Sequence, residues 1–141
     1  LGNHIYIAPG MEDPVAFDAI ARQVHNLPLA QIKRIVVPVG GGATLVGVTR
    51  GLWNTPHRGQ RKVLGICASL PPTRMIEKYL HPLGVGRGLE LISAKSSYSQ
   101  PAHGVKVGKV DLDPYYEAKC YPFLEPGDLL WVVGHRSSVL R

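Results

Sequence analysis

Ile35–Thr49 reads IVVPVGGGATLVGVT, and the rest of the chain is organised around it. Ile35, Val36 and Val37 form a short continuous apolar run, β-branched throughout, which suits a strand buried on both faces of a parallel sheet. Gly40, Gly41 and Gly42 follow. Beyond them the period changes. Leu45, Val48 and Leu52 fall at i, i+3 and i+7 with Trp53 beside them, the apolar stripe of a helix. The order is therefore strand, glycine turn, helix. Glycine lets the backbone take positive φ and come close to a ligand. The first turn of a helix offers N–H groups without intrahelical partners and the positive end of a dipole. Together they describe an anion site, most often for phosphate, to which Thr44 adds a hydroxyl donor. A tight turn with no ligand is the alternative. The loop is neither a Walker A sequence, since no Gly-Lys-Ser/Thr follows, nor a GxGxxG with an obvious ribose-binding acid.

The chain has 141 residues and is 45% hydrophobic, which gives room for one domain with a real core over residues 1–141 and argues against disorder. It contains no apolar run long enough for a transmembrane helix, so no membrane partner is expected. It starts at Leu1 with neither an initiator Met nor a signal peptide, which fits an internal fragment, a processed product or a trimmed chain alike. Cys67 and Cys120 lack metal-ligand spacing, so no metal site is expected. Cys67 reads as core. A disulfide is not indicated, and a reducing cytoplasm is the expected setting. The formal charge is +6, with sixteen basic residues scattered along the chain. The densest group, HRGQRK at 57–62, has no interleaved aromatics and reads as a solvated loop. A basic face also attracts phosphate ligands or nucleic acid, but no helix-turn-helix, zinc or RNA-binding motif supports a nucleic-acid module.

Outward from the glycine loop, strands alternate with helices. His4–Ala8 looks like a short strand ended by Pro9 and Gly10. Asp13-Pro14 fits an N-cap with proline in the first turn, and Phe17, Ile20, Ala21 and Val24 recur at helical spacing until Asn26 and Pro28. Residues 55–60 form a turn-rich loop. Val63–Ala68 is another buried-type strand. Pro71-Pro72 opens a helix with Met75, Ile76, Tyr79 and Leu80 on one face, ended by the glycine-rich stretch 83–88. Leu89–Ala94 reads as a strand, and residues 96–108 as loop. Asp113-Pro114 repeats the capping logic for a helix with Tyr116, Cys120, Phe123 and Leu124 as its buried stripe, ended or kinked near Tyr121 by Pro122. Leu129–Val133 is the last strand. This alternation predicts parallel βαβ units, and hence a three-layer α/β sandwich with a mainly parallel sheet.

Two separated motifs carry a family resemblance. GGGATLVG, Gly40–Gly47, resembles the GSGGTxAG phosphate loop of pyridoxal-phosphate enzymes of the tryptophan-synthase-β type. DPYYEAK, Asp113–Lys119, resembles the DPVYxGK stretch of the 1-aminocyclopropane-1-carboxylate deaminase and D-cysteine desulfhydrase family. LEPGDLLWVVGH resembles that family's final strand, and IYIAPG with its following helix resembles its mid-chain. The resemblance covers nearly the whole chain but only the carboxy-terminal part of the family. It implies a truncated tryptophan-synthase-β-like fold.

By resemblance the cofactor is pyridoxal phosphate. Its phosphate would be held by the N–H groups of Gly40, Gly41, Gly42, Ala43 and Thr44 and by the Thr44 hydroxyl. Glu117 would face the pyridine nitrogen, and Tyr116 would be the substrate-facing tyrosine. The alternative for Tyr116 and Glu117 is a core aromatic beside a solvated helix carboxylate. The family's Schiff-base lysine sits on an upstream segment, and no lysine here occupies a matching motif, so covalent attachment is not expected. Three departures stand out. Ala43 replaces a loop glycine, the stretch 96–110 is shorter than the family's, and VVGHRSS lacks the expected threonine–glycine pair. There His135 and Ser137 are the polar substitutes.

The reading is a truncated or split relative of a pyridoxal-phosphate deaminase or lyase, inactive alone. The alternative is a non-catalytic domain for phosphate-ligand binding or protein assembly on the same scaffold. The expected partners are a second copy of the chain, forming a homo-oligomer, or a complementary chain carrying the missing half.

Overall fold

The computed structural model describes residues 9–94 and 99–133. Strand β1 (Arg34–Val39) lies inside a four-stranded sheet with β2 (Lys62–Cys67), β3 (Leu89–Ser93) and β6 (Asp128–Leu130) in the order β3-β2-β1-β6. Every pairing in it is parallel, with Ile35 opposite Val63 on one side and Leu129 on the other. Alternate residues of β1 serve opposite faces. Ile35, Val37 and Val39 join the core formed with α1 (Pro14–His25), α2 (Ala43–Trp53) and α3 (Thr73–Tyr79). Val36 packs on the other face with Leu64, Ile66, Ala94 and Cys120. Both faces are therefore covered, and the expected three layers are present. The second cover is the 3-10 segment Glu117–Phe123 and not a full α-helix.

The helix caps follow the sequence. The Asp13 side chain accepts from the Val15 N–H at 2.7 Å and opens α1. Phe17, Ile20 and Val24 then bury the face that meets α2. Gly47 and Gly51 allow that meeting. A Cβ on Gly47 would stand 2.6 Å from Ile20 Cβ, and one on Gly51 would stand 2.8 Å from the Ala21 backbone.

Four expectations need correction or fall elsewhere. The Asp113 carboxylate accepts from the N–H groups of Tyr115 (2.8 Å) and Tyr116 (3.2 Å), so it closes a turn, and the helical segment starts only at Glu117. Its 3-10 winding buries Glu117, Ala118, Lys119 and Cys120 and leaves Phe123 and Leu124 half-buried, and Pro122 is accommodated inside it. Within the stretch read as loop, β4 (Lys106–Val107) pairs with β5 (Val110–Asp111) around Gly108, whose φ is 59°. The last strand ends at Leu130 rather than Val133, because the Val133 N–H turns to Glu117. The expected strand His4–Ala8 and the residues His135 and Ser137 lie outside the described residues. No described helix is long and apolar enough to cross a membrane.

Candidate functional site

Pro38 decides where the sheet opens. The Val36 carbonyl accepts from Trp131 on the β6 side at 2.8 Å, and alternation turns Pro38 to that same side. Pro38 has no N–H to give, so the ladder stops there. β1 runs on into the glycine loop while the chain after β6 diverges. A cavity of about 310 Å³ occupies the resulting crevice, at the carboxyl ends of the strands where open α/β sheets commonly hold ligands.

The wall of this cavity brings together the residues singled out from the sequence. Gly40, Gly41, Gly42, Ala43 and Thr44 line it, and so do Tyr116 and Glu117 from a stretch more than seventy residues along the chain. Gly42 is the N-cap of α2 with φ 102°, a left-handed conformation that favours glycine. The Val46 N–H donates to the Gly42 carbonyl at 2.9 Å and opens the α2 hydrogen-bond ladder. The preceding N–H groups of Ala43, Thr44 and Leu45 stand before the first intrahelical bond, at the positive end of an eleven-residue helix. Gly40 makes room for Tyr116: a Cβ there would lie 2.9 Å from the ring's Cε1. A Cβ on Gly41 would meet nothing within 4 Å.

Glu117 is not a solvated carboxylate. It is 1% exposed, and its Oε1 accepts from the Val133 N–H at 2.8 Å. A buried carboxylate on a cavity wall is costly unless it is partnered. Its charge and the burial around it, burial first, push the Cys120 thiol up to about 12. No lysine lines the cavity among the described residues; Lys119 is buried elsewhere and Lys33 lies 3.9 Å from Glu125. Sequence reasoning missed Gly10, Met11, Pro38 and Val133 as wall residues and took Asp113 only as a cap, although it too lines the cavity. Only the proline inside a strand carried a readable signal of this opening.

The fold is that of a known class. A crystal structure described as an ACC deaminase homologue matches with a TM-score of 0.64 and 23% identity, covering 88% of this chain and 46% of its own. At that identity the likeness establishes the fold, an α/β architecture of the kind expected from the sequence. The chain spans about half the length of that structure, 46%. No protein-family model matches the sequence, and no curated protein matches it.

Proposed function

We propose that this chain holds a phosphate-bearing ligand of the pyridoxal-phosphate class in the crevice beyond Pro38. The observation that supports the reading most is the convergence of the α2 amino terminus with Glu117, a carboxylate 1% exposed, on one cavity. The residues present fit such a group. Gly40–Thr44 present N–H groups to a phosphate, and the open space at Gly41 leaves the approach clear. Glu117 would offer its carboxyl group to the ring nitrogen, and the Tyr116 ring, seated on Gly40, bounds the pocket beside it. Pyridoxal phosphate, when bound, supplies an electron sink to amine substrates. Ala43 narrows the phosphate approach by a methyl relative to glycine, which fits weak binding.

Deaminase or lyase turnover additionally needs an amine to form the covalent link and move a proton. The absence of a lysine from the described cavity wall favours ligand binding without turnover by this chain alone. A further surface carrying that amine would complete an active centre.

The test is a calorimetric titration of the full chain with pyridoxal phosphate and with inorganic phosphate, beside Gly41→Asp. Gly41 has no positive φ and nothing near its would-be Cβ, so the substitution is sterically free. A carboxylate ~4 Å from a phosphate charge opposes it by up to about 4 kcal/mol at an effective dielectric of 20. Even about 1 kcal/mol lowers affinity roughly fivefold. Both ligands should bind the unaltered chain and lose affinity in Gly41→Asp, with no turnover in either. Affinity unchanged by the substitution, or robust turnover with added cofactor, would refute the proposal.

A further inference from the structure

Gly10 and Met11 line the cavity from the 3-10 turn that precedes α1. The backbone is left-handed at both, with φ 69° and 58°. Glycine takes that conformation freely; methionine does so at a cost, and it persists only where the surroundings hold it. Two anchors hold it here. The Asp13 N–H, at the cap of α1, donates to the Met11 carbonyl at 2.8 Å. Glu12, between the two, is gripped by α3. Arg74 donates to both carboxylate oxygens, through Nη1 at 2.9 Å and through Nη2. The Tyr79 hydroxyl donates to Oε1 at 2.9 Å, and Lys78 Nζ lies 3.5 Å from the same oxygen. These donors, Arg74 first and Tyr79 second, hold the Glu12 carboxyl down to about 2.

The same helical unit also touches the glycine loop. A Cβ on Gly42 would stand 2.7 Å from Pro72 Cβ, just ahead of α3, and 3.4 Å from Met75 Cβ within it. Tyr79 packs edge-on against Phe17 of α1 with ring centroids 4.8 Å apart. α3 therefore touches both sides: Pro72 and Met75 at its start rest on the glycine loop, while Arg74 from that same turn, with Lys78 and Tyr79 from the next, grips the residue next to Met11.

We infer that Glu12, through Arg74 and Tyr79, is a positioning residue that makes the cavity select a phosphate carrying a flat ring over phosphate alone. This rests on the function proposed above. A phosphate by itself needs only the glycine loop and the first turn of α2. A ring attached to it must also fit against the wall at Met11, and α3 fixes the spacing between loop and wall. Glu12 acts only through that spacing. An exposed ion pair adds little to global stability, so its loss should register in ligand choice and leave the melting temperature nearly unmoved.

The experiment titrates the full chain, Glu12→Gln, Arg74→Gln and the double variant with pyridoxal phosphate and with inorganic phosphate, and records the Met11 methyl signal of each. Glu12→Gln should weaken pyridoxal phosphate several-fold, leave inorganic phosphate unchanged and shift the Met11 methyl. The double variant should be no worse than the poorer single one, since both break a single contact. Equal losses for the two ligands would show a merely structural role and overturn the inference. An unmoved Met11 methyl, or an unmoved affinity for pyridoxal phosphate, would overturn it too. If the unaltered chain binds phosphate without preferring pyridoxal phosphate, this inference alone fails. If it binds neither, the proposed function fails and takes the selectivity role with it.

Discussion

Gly51→Ala should destabilise the protein, although alanine is the better helix former. A methyl at Gly51 would meet Ala21 Cα and Ala21 O at 2.8 Å and Val24 Cβ at 2.9 Å. Two of these atoms are backbone and cannot rotate away. Carbon contacts are comfortable near ~3.5–4.0 Å, so α1 would have to move off α2 by roughly 0.7 Å or more. Overpacking costs about 1–3 kcal/mol, and the two fixed backbone atoms put this case in the upper part of that range, about 2–3 kcal/mol. The helix-propensity gain of Ala over Gly returns at most about 1 kcal/mol. Packing wins, and the net loss is about 1–2 kcal/mol, or roughly 3–6 °C in Tm for a chain of this size. Thermal unfolding followed by calorimetry reads it directly. Gly86→Ala is the control, because Gly86 has no positive φ and a Cβ there would meet nothing within 4 Å. Melting of Gly51→Ala at or above the unaltered protein, with Gly86→Ala unchanged, would refute the view that the glycines set the α1–α2 distance.

Three other outcomes follow from the same structure. Asp128→Ala removes carboxylate oxygens that accept from Arg34 Nε and Nη2, each at 2.8 Å, and leaves a guanidinium only 16% exposed; a loss of about 2–4 kcal/mol is expected in denaturant titrations. Burial is the largest single influence and raises the Asp128 carboxyl, but the Arg34 hydrogen bonds, the Glu125 N–H and the charges of Arg34 and Lys33 together outweigh it and the net shift is downward. Its contribution is therefore complete above the ordinary carboxylate pKa of 3.8 and lost as pH falls through the depressed one, so the variant should show a flatter acid limb, and an identical limb would count against the pairing. Cys120, fully buried with its thiol raised to about 12, should resist alkylation at pH 8 in the native chain and react once unfolded; native labelling at the unfolded rate would contradict its placement. The chain should self-associate, since Leu70 is 83% and Val133 59% exposed and, among the described residues, no strand lies beyond β3 or β6; sedimentation as a 15.3 kDa monomer at all concentrations would sink this.

The parts of the fold that were legible in the sequence are those with local causes. Asp13-Pro14 caps its helix, and Ile35–Val39 and Val63–Cys67 are buried strands because their apolar runs suit a sheet covered on both faces. The glycine loop was readable because a change of period from strand to helix marks its position. The stretch after Asp113 misled because an α-helical period was assumed, whereas the chain winds as 3-10 and buries Glu117 and Lys119 in place of Phe123. The Met11 wall was not readable at all. Its place depends on Glu12 meeting Arg74 across sixty-two residues, a contact without local periodicity. Glycine is a poor helix former, and the purpose of Gly47 and Gly51 appears only when α1 is laid against them.

Strand order also bears on how the molecule is assembled. β1 finds β2, and β2 finds β3, within one stretch of chain, but the contact between Arg34 and Asp128 closes a separation of 94 residues. Contacts of such range form slowly, because the entropy of closing the loop comes before any reward. Until β6 and the segment before it arrive, Val36, Leu64 and Ile66 face water, though the finished structure leaves each at 1% exposure or less. Before β6 docks, the chain thus carries an unfinished sheet edge and an uncovered apolar face. That interval is when misassembly is most to be feared, and it closes with the same event that brings Glu117 to the glycine loop.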